Sequence, residues 1–327
     1  MAQITILGSG GWGMALAIVA YNNGNAVTLW SPFEEEVNLL LEKRENEKLL
    51  KGVILPDGIK ITTDMSVVEG DDLTIIATPS IAIRSIAKQL SSFENIGTVV
   101  NVAKGFEKGS LKFLTDVIAE ELPKSEIVAF SGPTHAEEVA RNIPTSIVAT
   151  SNSLAAAQKV QEIMGNENFR VYTSNDLIGV ELGGALKNII AIAAGCCDGL
   201  GLGDNTKAAL ITRGIAEMVR LGVSMGASDR TFAGLTGIGD LVVTCTSQHS
   251  RNNRFGYKVG SGVDIQTALK EVGTVEGYYA TEMAYQIAKR QGVEVPIINE
   301  CYALLYEGKP VNEVVSSLMK RPQKRED

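Results

Sequence analysis

Short apolar runs rich in β-branched residues recur along the first half of the chain, most of them followed by a stretch of helical spacing. Gln3 to Leu7 (QITIL) is the first. Ala15, Leu16, Ile18, Val19 and Ala20 then repeat at helical intervals, and Asn23-Gly24 closes that helix. Ala26 to Trp30 is a second run and completes a β–α–β start. Lys60 to Thr62 reads as a weak strand and Leu73 to Ala77 as a strong one. Thr98 to Val102, Ile127 to Ser131, Ser146 to Ala149 and Val171 to Thr173 read as further strands. Helical spacing through Ile83, Ile86 and Leu90, and again from Leu111 to Leu122, separates several of them. Repeated β–α units predict a Rossmann-type α/β domain, a mostly parallel sheet with helices on both faces.

From Asp176 the pattern changes to helical spacing, over roughly 176–200, 205–226, 264–272, 278–291 and 298–306. The expected division is therefore a dinucleotide-binding domain over 1–175 and an all-α domain over 176–327. The stretch Glu181 to Gly195 (ELGGALKNIIAIAAG) is apolar almost all round, which predicts a buried helix. Asn175 or Asp176 would cap it. Lys187 sits inside it. Either its ammonium is buried and paired, with a pKa lowered into the range of a proton shuttle, or its alkyl stem carries it to the surface.

Composition narrows the function classes. The length of 327 residues fits two domains. A net charge of −8 speaks against nucleic acid or an anionic membrane as partner, and leaves room for an anionic small molecule at a local basic site. Four cysteines without a CxxC, and two histidines without metal-ligand spacing, point to free thiols in a reducing cytoplasm and to no metal. The first residues enter a strand pattern directly, without a secretory leader. No apolar run of about 20 residues lacks a polar interruption, so no integral membrane segment is expected. The charged tail Lys320 to Asp327 reads as a solvated end.

Three clusters carry chemistry. Gly8-Ser9-Gly10-Gly11-Trp12-Gly13 lies between a strand and a helix, the context in which GxGxxG binds a dinucleotide. Gly8, Gly10 and Gly13 permit a tight turn and close approach of a pyrophosphate to the helix N-terminus. Ligands bind beyond the carboxyl ends of parallel strands, which nominates Pro79, Lys104 and the loop from Gly132 to Ala136. In the second half, Thr231 to Ser250 is polar and Gly-rich where a helical core is not expected, and it carries the single acid Asp240. Ser250-Arg251-Asn252-Asn253-Arg254 follows, a concentrated donor set. Arg251 reads equally as a phosphate clamp or a surface ion-pair residue.

These motifs resemble the NAD(P)-dependent sn-glycerol-3-phosphate dehydrogenases. GSGGWGMALA, NVAKGFE, FSGPTHAEEVA, ELGGALKNIIAIAAG, TFAGLTGIGDLVVTCTS, SRNNRFG and VEG occur in that order over nearly the whole chain. The resemblance implies an all-α second domain like the C-terminal domain of 6-phosphogluconate dehydrogenase. It implies reversible hydride transfer between dihydroxyacetone phosphate and NAD(P)H, yielding sn-glycerol 3-phosphate for glycerophospholipid synthesis. Lys187 would move the proton. Lys104, Gly132, Thr134, Asp240, Ser250, Arg251 and Asn252 would line the substrate. Gly8, Gly10, Gly11, Trp12, Gly13, Phe33, Lys104, Ala136, Arg251 and Glu276 would lie at the dinucleotide. The expected assembly is a homodimer in the cytoplasm.

The chain departs from the family pattern twice. Gly11 stands where a Ser often precedes the Trp. After the second strand, where many bacterial members carry basic residues, it reads Ser31-Pro32-Phe33-Glu34-Glu35-Glu36. Phe33 would stack near the adenine or cap the core, and Glu34 to Glu36 would open a helix. The acids favour NAD over NADP, with Lys43 and Arg44 the cations to test if NADP were preferred. The rival readings are a 3-hydroxyacid or nucleotide-sugar dehydrogenase of the same architecture, the latter needing Cys245 as nucleophile, and a dinucleotide sensor without turnover.

Overall fold

The structure is a computed structural model that describes residues 1–323 and 325; Lys324, Glu326 and Asp327, at the end of the charged tail, lie outside the described residues. Packing divides the chain into two compact units, Met1–Glu181 and Leu182–Asp327.

The first unit is built on β1 (Gln3–Leu7), α1 (Gly11–Asn22), β2 (Ala26–Trp30), α2 (Glu34–Lys43), β3 (Lys60–Thr62), β4 (Leu73–Ile76) and α3 (Ile83–Leu90). It continues with β5 (Thr98–Asn101), α4 (Leu114–Glu121), β6 (Ile127–Ser131), α5 (Ala136–Val139), β7 (Thr145–Thr150), α6 (Leu154–Met164) and β8 (Phe169–Ser174). The eight strands form one sheet in the order β3-β2-β1-β4-β5-β6-β7-β8. All neighbours are parallel except β6 and β7. Period-two alternation sends Ile4, Ile6, Leu73, Ile75, Val100, Val128 and Phe130 into one apolar cluster, and Leu7, Ile76 and Val99 into another. Burial on both faces explains why the strands read as continuous apolar runs.

One local expectation needs correction, and one helix was not expected. The helix expected from Leu111 begins only at Leu114. Leu111 has φ 62, and Phe106 and Phe113 pair across the intervening turn. The helix α6 has no counterpart among the sequence expectations; Ser153 caps it by accepting from the Ala156 N–H at 3.4 Å.

The second unit is helical: α7 (Leu177–Gly199, whose first turns belong to the first unit), α8 (Asp204–Ser224), α9 (Asp229–Phe232), a π turn (Leu235–Gly239) and α10 (Asp240–Thr246). Then come α11 (Arg251–Gly260), α12 (Ile265–Val272), α13 (Glu276–Gln291), α14 (Pro296–Tyr306) and α15 (Val311–Met319). Of the two candidate caps for α7, Asp176 is the one used, its carboxylate accepting from Gly179 N–H at 2.9 Å. The polar stretch from Thr231 to Ser250 is largely helical after all. Two of its threonines are satisfied within the turns, Thr244 Oγ1 donating to Asp240 O at 2.6 Å and Thr246 Oγ1 to Val242 O at 2.9 Å. By length and apolarity α7 could cross a membrane, yet it is a core helix with nearly every side chain from Val180 to Cys197 buried.

Glycines set how closely α7 and α11 pack. A Cβ on Gly195 would stand 2.0 Å from Asn253 O and one on Gly199 2.3 Å from Tyr257 O. The reciprocal positions, Gly256 and Gly260, meet Ile192 O at 2.0 Å and Cys196 O at 2.4 Å. Small residues four apart on both helices thus bring the backbones into contact. In the tail, Arg321 is exposed and forms a surface ion pair with Glu294.

Candidate active site

The glycine loop of the first unit has the geometry of an anion cradle. Gly8 adopts φ +126, and a Cβ there would meet Ala77 O at 2.7 Å. Gly13 lies so close beneath the loop that a Cβ would fall 1.9 Å from Gly8 O. Above Gly10, by contrast, a Cβ would meet nothing within 4 Å, and no side chain caps α1, whose first turn contains no acid. An open, uncapped helix N-terminus offers N–H donors and a positive dipole end to a phosphate. The Thr78 hydroxyl, just past β4, and the Ser131 hydroxyl, at the end of β6, are buried without a protein hydrogen-bond partner. The residues present therefore fit a dinucleotide laid across the carboxyl ends of the strands.

Gly11 has a local reason: a Cβ would stand 2.9 Å from Leu49 O, a distance that a serine could not tolerate without moving that loop. Ala136 opens α5 and lies 3.8 Å from the same Cβ position, and it packs on the core beside the half-buried Trp12. Gly8, Gly10, Gly11, Trp12, Gly13 and Ala136 are thus one group. Lys104, Gly132 and Thr134 form a second: Lys104 Nζ donates to Gly132 O at 3.0 Å, and Thr134 Oγ1 to the same oxygen at 3.2 Å. Asn101 stiffens the Lys104 loop, accepting from Ala103 N–H at 3.1 Å.

Phe33 is 61% exposed, which removes the alternative in which it caps the core. Glu34 to Glu36 do open a helix, as their position after an extended residue implies. Arg44 is occupied: its guanidinium donates to the carbonyls of Leu55, Pro56 and Ile59.

In the second unit the buried reading of Lys187 holds. It is 6% exposed, and Asp240, 1% exposed, forms an ion pair with it. Lys187 Nζ also donates to Thr244 Oγ1 at 2.8 Å. Desolvation of an ammonium costs several kcal/mol, and a carboxylate with a further hydroxyl acceptor offsets it. Thr244 was missed by the sequence reading, though a signal existed: it follows Asp240 by four positions, so the two share a face of α10. Cys245 next to it is fully buried, and desolvation pushes its thiol up to about 12, which makes it inert.

Ser250 caps α11, its Oγ accepting from Asn253 N–H at 3.2 Å, and Arg251 begins the helix exposed to solvent. Asn252 is buried and bridges two elements: its Nδ2 donates to Asn188 Oδ1 at 2.9 Å, and its Oδ1 accepts from Gly277 N–H at 2.9 Å. Asn188 is the second residue that sequence reasoning did not assign. The bridge places Glu276, the half-buried first residue of α13, beside the start of α11. Among the described residues, no group of three or more His, Cys, Asp or Glu is placed to hold a metal.

Comparison with known proteins places the chain in a family. Residues 3–157 match the family model for the NAD-dependent glycerol-3-phosphate dehydrogenase N-terminus, and residues 176–316 match that for its C-terminus. A glycerol-3-phosphate dehydrogenase (NAD(P)+) of Fusobacterium nucleatum is 48% identical, covering 100% of this chain and 99% of that protein. One from Desulfitobacterium hafniense is also 48% identical, over 100% of this chain and 93% of its own length. The crystal structure of glycerol-3-phosphate dehydrogenase from Coxiella burnetii superposes with a TM-score of 0.94 at 37% identity, over 98% of this chain and 99% of that one. The chain belongs to the NAD-dependent glycerol-3-phosphate dehydrogenase family.

Proposed function

We propose that this protein reversibly reduces dihydroxyacetone phosphate to sn-glycerol 3-phosphate with NADH or NADPH, making the precursor of glycerophospholipids. The observation that carries the reading is the buried Lys187, ion-paired with Asp240 and bonded to Thr244, in a chain whose other unit has an uncapped glycine loop.

When bound, the reduced nicotinamide supplies a hydride to C2 of the ketone. Lys187 delivers the proton that the C2 oxygen needs as it gains negative charge, and recovers it in the reverse direction. Asp240 and Thr244 orient the ammonium, so proton transfer begins from a fixed donor position. Arg251 grips the phosphate with its forked guanidinium at the N-terminus of α11, where the helix dipole adds attraction. Lys104, held against Gly132 O beside Thr134, supplies positive charge in the first unit. Asn252, its amide committed to Asn188 and Gly277, acts by fixing the start of α11 as much as by touching the substrate.

The buried Cys245 speaks against the nucleotide-sugar alternative, which needs a reactive thiol. Oxidation of NADH on addition of dihydroxyacetone phosphate, followed at 340 nm, is the test; no turnover with either coenzyme would refute the activity. Assembly as a homodimer and residence in the cytoplasm belong to the same reading. Light scattering on the purified protein checks the first, and a monomer mass at micromolar concentration would exclude it.

A further inference from the structure

The acids that follow β2 are not equivalent. Glu34 and Glu35 are exposed, whereas Glu36 is half-buried and turned back toward the glycine loop. Its Oε2 accepts from Ser9 Oγ at 2.5 Å and from Ser31 Oγ at 2.8 Å. Ser9 lies between Gly8 and Gly10 in the cradle, and Ser31 is the first residue past β2, its N–H donating to Thr62 O at 3.2 Å. Gly8 N–H donates to Trp30 O at 2.9 Å, which locks the cradle to the same strand end. One carboxylate oxygen is thus pinned across the gap between the glycine loop and β2. The other, Oε1, makes no hydrogen bond to the protein among the described residues.

That gap is where a dinucleotide fold receives the adenosine ribose. An acid about 20 residues past the glycines accepts from the 2′-hydroxyl of NAD, and a cation there meets the 2′-phosphate of NADP. No Asp or Glu ends β2 in this chain, and Arg44 is turned onto the carbonyls of Leu55, Pro56 and Ile59. We propose that Glu36, reaching back from the first turn of α2 and held there by Ser9 and Ser31, is the residue that selects NAD over NADP. Its pinned Oε2 fixes the carboxylate, and Oε1 accepts the ribose 2′-hydroxyl. A 2′-phosphate in the same place meets a fixed negative charge, with Arg44 committed to backbone carbonyls.

This inference rests on the glycine loop being the dinucleotide site, and direct binding measurements separate the two. NADH and NADPH affinities are measured by quenching of protein fluorescence, without substrate, for the wild type, Glu36→Gln, Glu35→Gln and the double variant Ser9→Ala/Ser31→Ala. The wild type is expected to bind NADH about tenfold more tightly, the equivalent of roughly 1.4 kcal/mol. Glu36→Gln keeps the side-chain volume and should bring the two affinities within about threefold of each other, chiefly by strengthening NADPH. Loss of the serine tethers should narrow the ratio in the same direction, and Glu35→Gln should leave it unchanged. Equal weakening of both coenzymes by Glu36→Gln would assign Glu36 a purely structural role and overturn the proposal. So would an equal shift of the ratio by Glu35→Gln, which would make the whole acidic turn responsible, or a wild type that prefers NADPH. A wild type that binds neither coenzyme would overturn the functional reading and this inference with it.

Discussion

Lys187 is where one residue matters most. Its ammonium is held by Asp240 and Thr244 in a shell with almost no solvent. Lys187→Ala should lower kcat by the 10²–10⁴-fold typical of a general acid–base group, with NADH affinity close to wild type. Retention of more than about a tenth of kcat would move the proton to another group. Asp240→Asn strands a buried ammonium beside a neutral amide and should destabilise the protein by about 3–5 kcal/mol in urea unfolding. Arg251 poses a different question because it is exposed. Arg251→Lys keeps the charge and loses the fork, so KM for dihydroxyacetone phosphate should rise at least about tenfold. An unchanged KM would return Arg251 to the surface ion-pair reading that its sequence context left open. The presence of a lysine inside an apolar helix was legible in the chain, as was the donor cluster. That Asp240 and Thr244 close on Lys187 was not, because they lie 53 and 57 positions away and only tertiary packing sets that distance.

At the scale of elements, α7 and α11 are held at backbone contact by glycines on both helices. Helix propensity alone favours alanine over glycine by about 1 kcal/mol, so Gly→Ala inside an unconstrained helix stabilises. Here the sign should invert. Gly195→Ala would place a Cβ 2.0 Å from Asn253 O, and parting the helices should cost at least about 2 kcal/mol, measured as a lower urea midpoint with unchanged slope. A stabilised variant would show that α11 can retreat. Because α11 carries Ser250, Arg251 and Asn252 at one end, the same substitution should also raise KM. Element types were largely readable wherever periodicity ran for several residues. Reading failed over Thr231 to Ser250, where threonine hydroxyls bonded to carbonyls four positions back let a polar sequence be helical. It failed again at α4, whose start is delayed by the left-handed Leu111.

For the molecule as a whole, the buried Glu181 ties stability to pH. Desolvation pushes its carboxyl up to about 8 from an ordinary 4.5, although Thr115 donates to it from both its N–H, at 3.2 Å, and its hydroxyl, at 2.5 Å. An acid whose pKa is higher in the folded than in the unfolded state stabilises the fold in its protonated form. That contribution is complete below about 4.5 and is lost as pH rises to about 8, on the order of a few kcal/mol. Glu181→Gln should therefore flatten the fall in unfolding free energy between pH 5 and 8, read from urea titrations at several pH values; an identical slope in both proteins would refute it. Local pattern alone determined the strand–helix alternation, the cradle between β1 and α1, the change to helices after Asp176 and the apolar character of α7. Each of these follows from residue periodicity or from the steric freedom of glycine, properties a sequence displays directly. Tertiary structure decided which side chains meet: Asp240 and Thr244 on Lys187, Ser9 and Ser31 on Glu36, Arg44 turned to carbonyls instead of a ligand, and Phe33 left in solvent. Those pairings depend on the distance between elements far apart in the chain, and no local pattern encodes that distance.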